Sequence, residues 1–515
     1  MAAFAVPTLK NVEDFQVYYV ATVLVVILLV RRLLTWPHQP PGPPGLPLVG
    51  HMHFLGANPH ISLWKLADKY GPLMSLRLGN KPYVVATSPE TAKEFLKTLD
   101  ANFGSRHYSS QSQYLLYGGQ DVAFQESSPS WRNLKKIFTM ELASPARLEA
   151  SRHIREEEMI VLLRTIHSKG ELELKSQLID MISHVISRMV INKRFDDSVE
   201  SDFPTLVQTH FRLAGAFVPG DYIPAVKWLD LGGFEAQMKK QKERMDAFID
   251  DILVQHRERR AKGPVPMKEY DMVHVLLDRI ETKDDQIQLT ETHVKALVLD
   301  AFLGASETII LTSEWAMAEL LRHPSLMAKA QAELDAVVGR DRMVTESDLR
   351  HLTYLNTIIK ETFRLHPAAA LLLPRESAQP SQAFGYNFPA KTRVLINCYA
   401  IHRDPAIWHD PLVFNPDRFL QADLKDVDVK GRHFQLLPFG AGRRVCPGLS
   451  MGILTVQFIL ASLLHSFDWS LPGDMKPEDV DMTEIYGLTL PRAAPLPCAA
   501  KLRLPSHLLT TAQKP

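Results

Sequence analysis

The sequence predicts a mainly α fold with a small β region, and three observations carry that prediction. Helical apolar periodicity runs through most of the chain. One segment, residues 291–323, sustains it for 33 residues until Pro324 stops it. The β-rich runs are few and short, at residues 73–78, 83–87 and 393–396. At 515 residues and 46% hydrophobic, the chain has room for several average domains or for one large core. No repeat of 20–50 residues stands out, which argues against solenoids and propellers. With 58 basic and 58 acidic side chains there is no net basic field, so nucleic acid is not an expected partner. Three cysteines, Cys398, Cys446 and Cys498, include no C-x-x-C; they make neither a disulfide framework nor a cysteine zinc site, and fit a reducing compartment.

The elements follow in order. Residues 17–30 form an apolar run, extended by Leu33 and Leu34 past Arg31 and Arg32. A membrane span needs about 20 residues, a length that residues 15–34 reach if the arginine stems snorkel to the interface. Glu13 and Asp14 precede the run and no A-x-A follows it, which disfavours a cleaved signal peptide. The arginines lie on the C-terminal flank, so the positive-inside rule places the body in the cytosol. The expected division is a signal-anchor at 1–35, a proline-rich hinge at 36–50 (Pro37 to Pro47) and a catalytic body at 51–515, single-pass on the endoplasmic reticulum membrane. Within the body, residues 257–269 are charged and interrupted by Gly263, Pro264 and Pro266, and are predicted to be a surface linker. Residues 296–304 are apolar all round except for Asp300, the pattern of a buried central helix of roughly 50 Å.

Chemistry concentrates at Phe439-Gly440-Ala441-Gly442-Arg443-Arg444-Val445-Cys446-Pro447-Gly448. Glycines let the loop turn sharply and present one thiol, and Arg443 and Arg444 beside it are expected to favour the thiolate. Glu361 and Arg364, spaced i, i+3, share a helix face and can pair. Downstream lies Phe414-Asn415-Pro416-Asp417-Arg418-Phe419, and the long helix carries Gly304-Ala305-Ser306-Glu307-Thr308.

These segments, in this order, resemble the cytochrome P450 family, in which the Cys446 loop is the haem-ligand loop. The resemblance covers essentially the whole chain and implies the cytochrome P450 fold behind a single N-terminal membrane-anchor helix. It implies haem b with Cys446 as axial iron ligand, seated by Phe439, and propionates held by Trp131, Lys135, Arg375 and Arg444. Lys135 stands where the family more often has arginine, and holds its propionate as a point charge rather than a fork. A buried Glu361–Arg364–Arg418 triad is implied to brace the core without doing chemistry. Glu307 and Thr308 are implied to serve oxygen activation, Glu307 as proton relay. Ala305 departs from the family's usual glycine. Substrate-facing residues implied are Leu303, Ala305, Ala370, Leu371 and Leu488, within segments 105–120, 211–217, 299–308, 368–373 and 486–489.

The activity implied is that of a monooxygenase using O2 and electrons from NADPH through a reductase, the NADPH–cytochrome P450 reductase that serves the family. No G-x-G-x-x-G follows a strand, so the chain carries no flavin or nucleotide segment of its own. Lys430, Arg432, His433 and Arg443 lie near the Cys446 loop in sequence, either as a docking surface for that reductase or as solvated loop charges. Three rival classes are weaker. Oxygen-independent isomerases or dehydratases of the family usually lack the acid–threonine pair, a haem carrier does not need it, and a reactive-thiol enzyme wants a base where arginines dominate. The detail of the proline run and of residues 142–158 is similar to plant microsomal members that hydroxylate phenylpropanoid or flavonoid rings in secondary metabolism. A small lipophilic phenolic is therefore the expected substrate, with a terpenoid as the alternative.

Overall fold

The computed structural model describes residues 16–26, 38–195, 203–266, 270–282 and 288–510. The central helix, Glu291–Arg322, starts where Thr290 accepts from His293 N–H and His293 returns the bond. It ends at His323, ahead of Pro324. From Val294 to Leu321 most side chains are buried, and every one from Ile309 onward, because other helices cover it on several sides. Leu174–Ile191, Thr353–Leu365 and Leu449–Ser466 all pack against it. Leu449–Ser466 is long and apolar enough to cross a membrane, but it is mostly buried inside the body and is a core helix.

The β region sits to one side. Leu73–Leu78 and Lys81–Ala86 form an antiparallel hairpin, Arg393–Ile396 joins Lys81–Ala86 in parallel, and Arg375–Glu376 closes the far edge. A second sheet, Glu171–Glu173, Pro497–Leu502 and Phe467–Ser470, ties the C-terminal region back to the helices.

Two expectations are corrected. The prolines of residues 40–50 do not stand off as a hinge. Ser75 donates its hydroxyl to Pro40 O at 2.7 Å and its amide to Pro41 O at 2.8 Å, and Pro40 and Pro43 are buried on the edge strand. Proline has no N–H to offer, but its carbonyl remains a good acceptor for an unpaired strand edge. The charged stretch after residue 257 begins as helix, since Phe234–Ala261 runs through it. Arg257 pairs with Glu291 at 2.6 Å and Arg260 with Asp278 and Glu281, so partners on neighbouring helices hold those charges. At the N-terminus the described residues include an exposed apolar helix, Gln16–Val26; the remainder of the expected span, with Arg31 and Arg32, lies outside the described residues.

Candidate active site

The Cys446 loop is closed by its own backbone: Cys446 N–H donates to Phe439 O at 3.1 Å. Gly440 and Gly442 take φ of +66° and +70°, and a Cβ on Gly442 would meet Leu96 O at 2.1 Å, so the loop's path requires glycine there. Phe439 packs edge-on against Phe363 at 5.2 Å. Cys446 lines a cavity of about 330 Å³ that is also lined by Leu303, Ala305 and Thr308 of the central helix.

Burial pushes the Cys446 thiol up, opposed by the Gly448 amide and the Lys135 charge. The expectation that Arg443 and Arg444 favour the thiolate is therefore corrected. Arg443 turns to Asp100, donating from its amide at 2.9 Å and from Nε at 3.2 Å. Arg444 donates to the carbonyls of Gly104 (2.6 Å), Val122 and Gln125 and lies 3.8 Å over the Trp131 ring.

Four cations line one part of this cavity. Arg375 pairs with Asp100 at 2.6 Å and donates to Ala441 O; Lys135 donates to Arg443 O and Val445 O at 2.6 and 3.0 Å; Arg444 is placed as above; Arg106 donates to the carbonyls of Ala123, Leu373 and Pro374. Trp131 also lines the cavity, its Nε1–H on Val122 O. Burial, and after it repulsion from Arg375, pushes Arg444 down to about 9, and burial with Arg444 beside it pushes Lys135 down to about 8. Arg106 is likewise pushed down, by burial and by both neighbouring arginines. Cations so crowded, with mostly neutral carbonyls for partners, lack negative charge. A flat ligand bearing two carboxylates, with a metal to meet a sulfur, matches this donor set; haem is such a ligand.

On the central helix Thr308 lines the cavity and donates its hydroxyl to Gly304 O at 3.1 Å. That leaves its oxygen lone pairs available to a cavity ligand. Glu307 is half-buried outside the lining; burial raises it and the Lys175 charge opposes. Asp300 lines the cavity and accepts from Val122 N–H at 2.7 Å. Burial and the adjacent Asp121 push Asp300 well above the ordinary carboxyl range.

Glu361, Arg364 and Arg418 form one wholly buried ion cluster. Arg364 grips Glu361 through two bonds of 2.8 Å, and Arg418 Nε reaches Glu361 Oε1 at 3.0 Å. The remaining guanidinium hydrogens hold carbonyls of His402, His409, Pro411 and Val413. His402 passes the order onward. Its Nδ1 meets Arg364 O at 3.1 Å, and its Nε2 accepts from Leu437 N–H at 2.9 Å, at the start of the cysteine loop.

Of the residues expected to meet substrate, Leu303, Ala305 and Leu488 line the cavity. Ala370 and Leu371 do not; both are buried, Leu371 in the sheet-side core, while Ala368, Ala369, Leu372 and Leu373 line the cavity instead. Leu372 adopts φ +50°, so the chain turns within this run rather than presenting one face. Sequence reasoning missed Arg106, Asp100, Asp121 and His402. None sits in a motif; Asp300 alone left a signal, as the one charge in an apolar helix.

Comparison with known proteins agrees with this geometry. The cytochrome P450 family profile matches residues 40–498. The chain is 43% identical to a flavonoid 3'-monooxygenase of Petunia hybrida, covering 90% of this chain and 92% of that protein. It is 42% identical to the flavonoid 3'-monooxygenase of Arabidopsis thaliana, covering 95% and 97%. A solved zebrafish cytochrome P450 with progesterone superposes with a TM-score of 0.73 at 26% identity, covering 86% of this chain and 99% of that one. With a cysteine and a cation cluster that suit haem on one cavity, the chain belongs to the cytochrome P450 family and is a haem b monooxygenase that uses O2 and a redox partner.

Proposed function

We propose that this protein is an endoplasmic-reticulum-anchored hydroxylase of a flavonoid or related phenolic ring, fed electrons from NADPH by a membrane-bound reductase. The observation that carries the substrate class is Asp300. In a cavity walled by Leu303, Ala305, Leu373 and Leu488, it is the one carboxyl in the lining among the described residues, held by Val122 N–H at 2.7 Å and raised by burial, a polar group that a phenol hydroxyl can hydrogen-bond. A hydrocarbon such as a terpenoid makes no use of it. The names of the Petunia and Arabidopsis relatives support the same class.

In this reading Cys446 would hold the haem iron, and the haem when bound would supply O2 activation and insertion of one oxygen atom into a C–H bond. The chain's residues do the rest. Arg106, Lys135, Arg375 and Arg444 would hold the propionates, with Trp131 beneath Arg444, and Phe439 would help to seat the group. Thr308 would offer its hydroxyl oxygen to a ligand in the cavity, and Glu307, raised by burial and just outside the lining, would relay protons to it. The apolar walls exclude water. The helix Gln16–Val26 begins the anchor that lies against the lipid bilayer. The reductase docks on the face carrying Lys430 and Arg432, both exposed; Arg432 and His433 share Asp428, and Arg443 is tied to Asp100.

The test is turnover in microsomes co-expressing a plant NADPH reductase, with flavonoids, phenylpropanoids and terpenoids offered together and Cys446→Ala alongside. NADPH-dependent gain of one oxygen on a flavonoid or phenylpropanoid, lost in the variant, is the expected result. Oxygenation of a terpenoid alone overturns the phenolic assignment. No product from protein whose reduced form binds carbon monoxide with a thiolate-type spectrum overturns every substrate class offered and leaves Cys446 ligation standing.

A further inference from the structure

Away from the cavity, three buried ionisable side chains meet where two helices are joined. His256 lies near the end of Phe234–Ala261, Asp271 just precedes Met272–Thr282, and His274 is in the first turn of that second helix. They are 7%, 4% and 0% exposed. His256 Nε2 lies 2.9 Å from Asp271 Oδ2, His274 Nδ1 lies 2.8 Å from Asp271 Oδ1, and the three residues place one ligand atom each within 4.8 Å of the others. The two imidazoles are 4.6 Å apart between centroids, and Tyr270 stacks on His274.

Hydrogen bonding among neutral rings does not complete this cluster. His256 Nδ1 faces Ile252 O at 2.7 Å while its Nε2 faces Asp271, so both nitrogens of one ring meet oxygen acceptors. A neutral imidazole has a single N–H, and the other contact then sets a lone pair against an oxygen. His274 Nε2 is buried without a partner. A divalent cation satisfies the arrangement. The His256 Nδ1–H bond to Ile252 O is the backbone contact that fixes a ligating histidine's tautomer and turns Nε2 toward a metal. Asp271 adds an anionic oxygen and His274 a second imidazole.

We propose that His256, Asp271 and His274 form a zinc site. Two imidazoles and one carboxylate suit this borderline cation, and three protein ligands leave one tetrahedral position for water. Asp271 also caps the second helix, accepting from His274 N–H at 2.9 Å, so a cation here clips the end of one helix to the start of the next across the loop between them.

The experiment uses full-length, haem-loaded protein without a histidine tag, stripped with a chelator, equilibrated with zinc chloride and desalted. Zinc and iron are then counted by elemental analysis. The expected result is one zinc per haem iron and a zinc-dependent rise in Tm. Retention falls about tenfold or more in Asp271→Asn, which keeps the helix cap, and in His256→Gln. Carbon monoxide spectra establish that each variant remains folded around its haem. Absence of retained zinc in the natural sequence overturns the proposal, and so does equal retention in both folded variants. Should neither variant fold, zinc-edge X-ray absorption of the natural protein decides. Imidazole and oxygen ligands support the site, and sulfur ligation overturns it.

Discussion

Arg364 and Arg418 are 0% and 2% exposed, and Arg106 and Arg375 are 6% and 4%, yet the two pairs of arginines are balanced in opposite ways. The first pair meets its own carboxylate, Glu361, in bonds of 2.8 to 3.0 Å, and backbone carbonyls take the remaining hydrogens. The second pair joins Lys135 and Arg444 around a cavity, where Asp100 pairs with Arg375 and main-chain oxygens do most of the rest. A buried charge is tolerated when its partner folds with it, and becomes a binding site when the partner must come from outside. The first cluster belongs to the fold. The second is shaped for an anionic ligand.

Glu361→Ala breaks the comparison hardest. It strands two buried guanidinium groups, at a cost of about 3–5 kcal/mol, and the expected outcome is loss of folded, haem-loaded protein, read from carbon monoxide spectra and Tm. Arg375→Met separates the clusters by sign. Haem affinity is expected to fall about 10- to 100-fold, roughly 1.4–2.8 kcal/mol, while the haem-free chain, in which Asp100 keeps Arg443, loses less stability than that. Haem titration of the refolded variant beside its haem-free denaturation curve measures both, and an equal loss in the two curves places Arg375 with the structural cluster.

His402 sharpens the link between triad and cysteine loop. Burial, with Arg403 and Arg364 nearby, pushes it down to about 3, so the folded protein keeps the ring neutral. The unfolded chain takes up that proton near the ordinary histidine pKa. The contribution is therefore complete above about pH 6.5 and is lost as pH falls toward 3. Between pH 7 and 5 the stability advantage over His402→Gln is expected to shrink by about 2 kcal/mol, measured by chemical denaturation at both values. The smallest effect is Lys135→Arg. A fork replaces a point charge, and haem loss to an acceptor protein is expected to slow by about two- to fivefold.

Much of the site was legible before any coordinates. The Cys446 loop, the Glu361–Arg364 spacing and the Thr308 segment are short motifs written within a few residues, and their resemblance to the cytochrome P450 family supplied their roles. The bounds of Leu73–Leu78, Arg393–Ile396 and the central helix follow from the same local periodicity and caps. What failed was reasoning from neighbours in sequence about charge. Arg443 and Arg444 adjoin Cys446, yet their guanidinium groups reach Asp100, Gly104 and Gln125, more than three hundred residues away in the chain.

The sequence by itself determined the mainly α class with its small β region, since periodicity and turn chemistry act over single turns and loops, and its resemblance to the cytochrome P450 family pointed to the Cys446 thiol and to the Glu361–Arg364–Arg418 triad. Tertiary structure alone decided which charges balance which. It brought Arg106 to the cavity and Asp121 beside Asp300, put Ala370 and Leu371 outside its lining, docked the prolines on a strand edge and joined His256 to Asp271 and His274. Electrostatic partnership depends on distance and burial in space, and chain order carries neither.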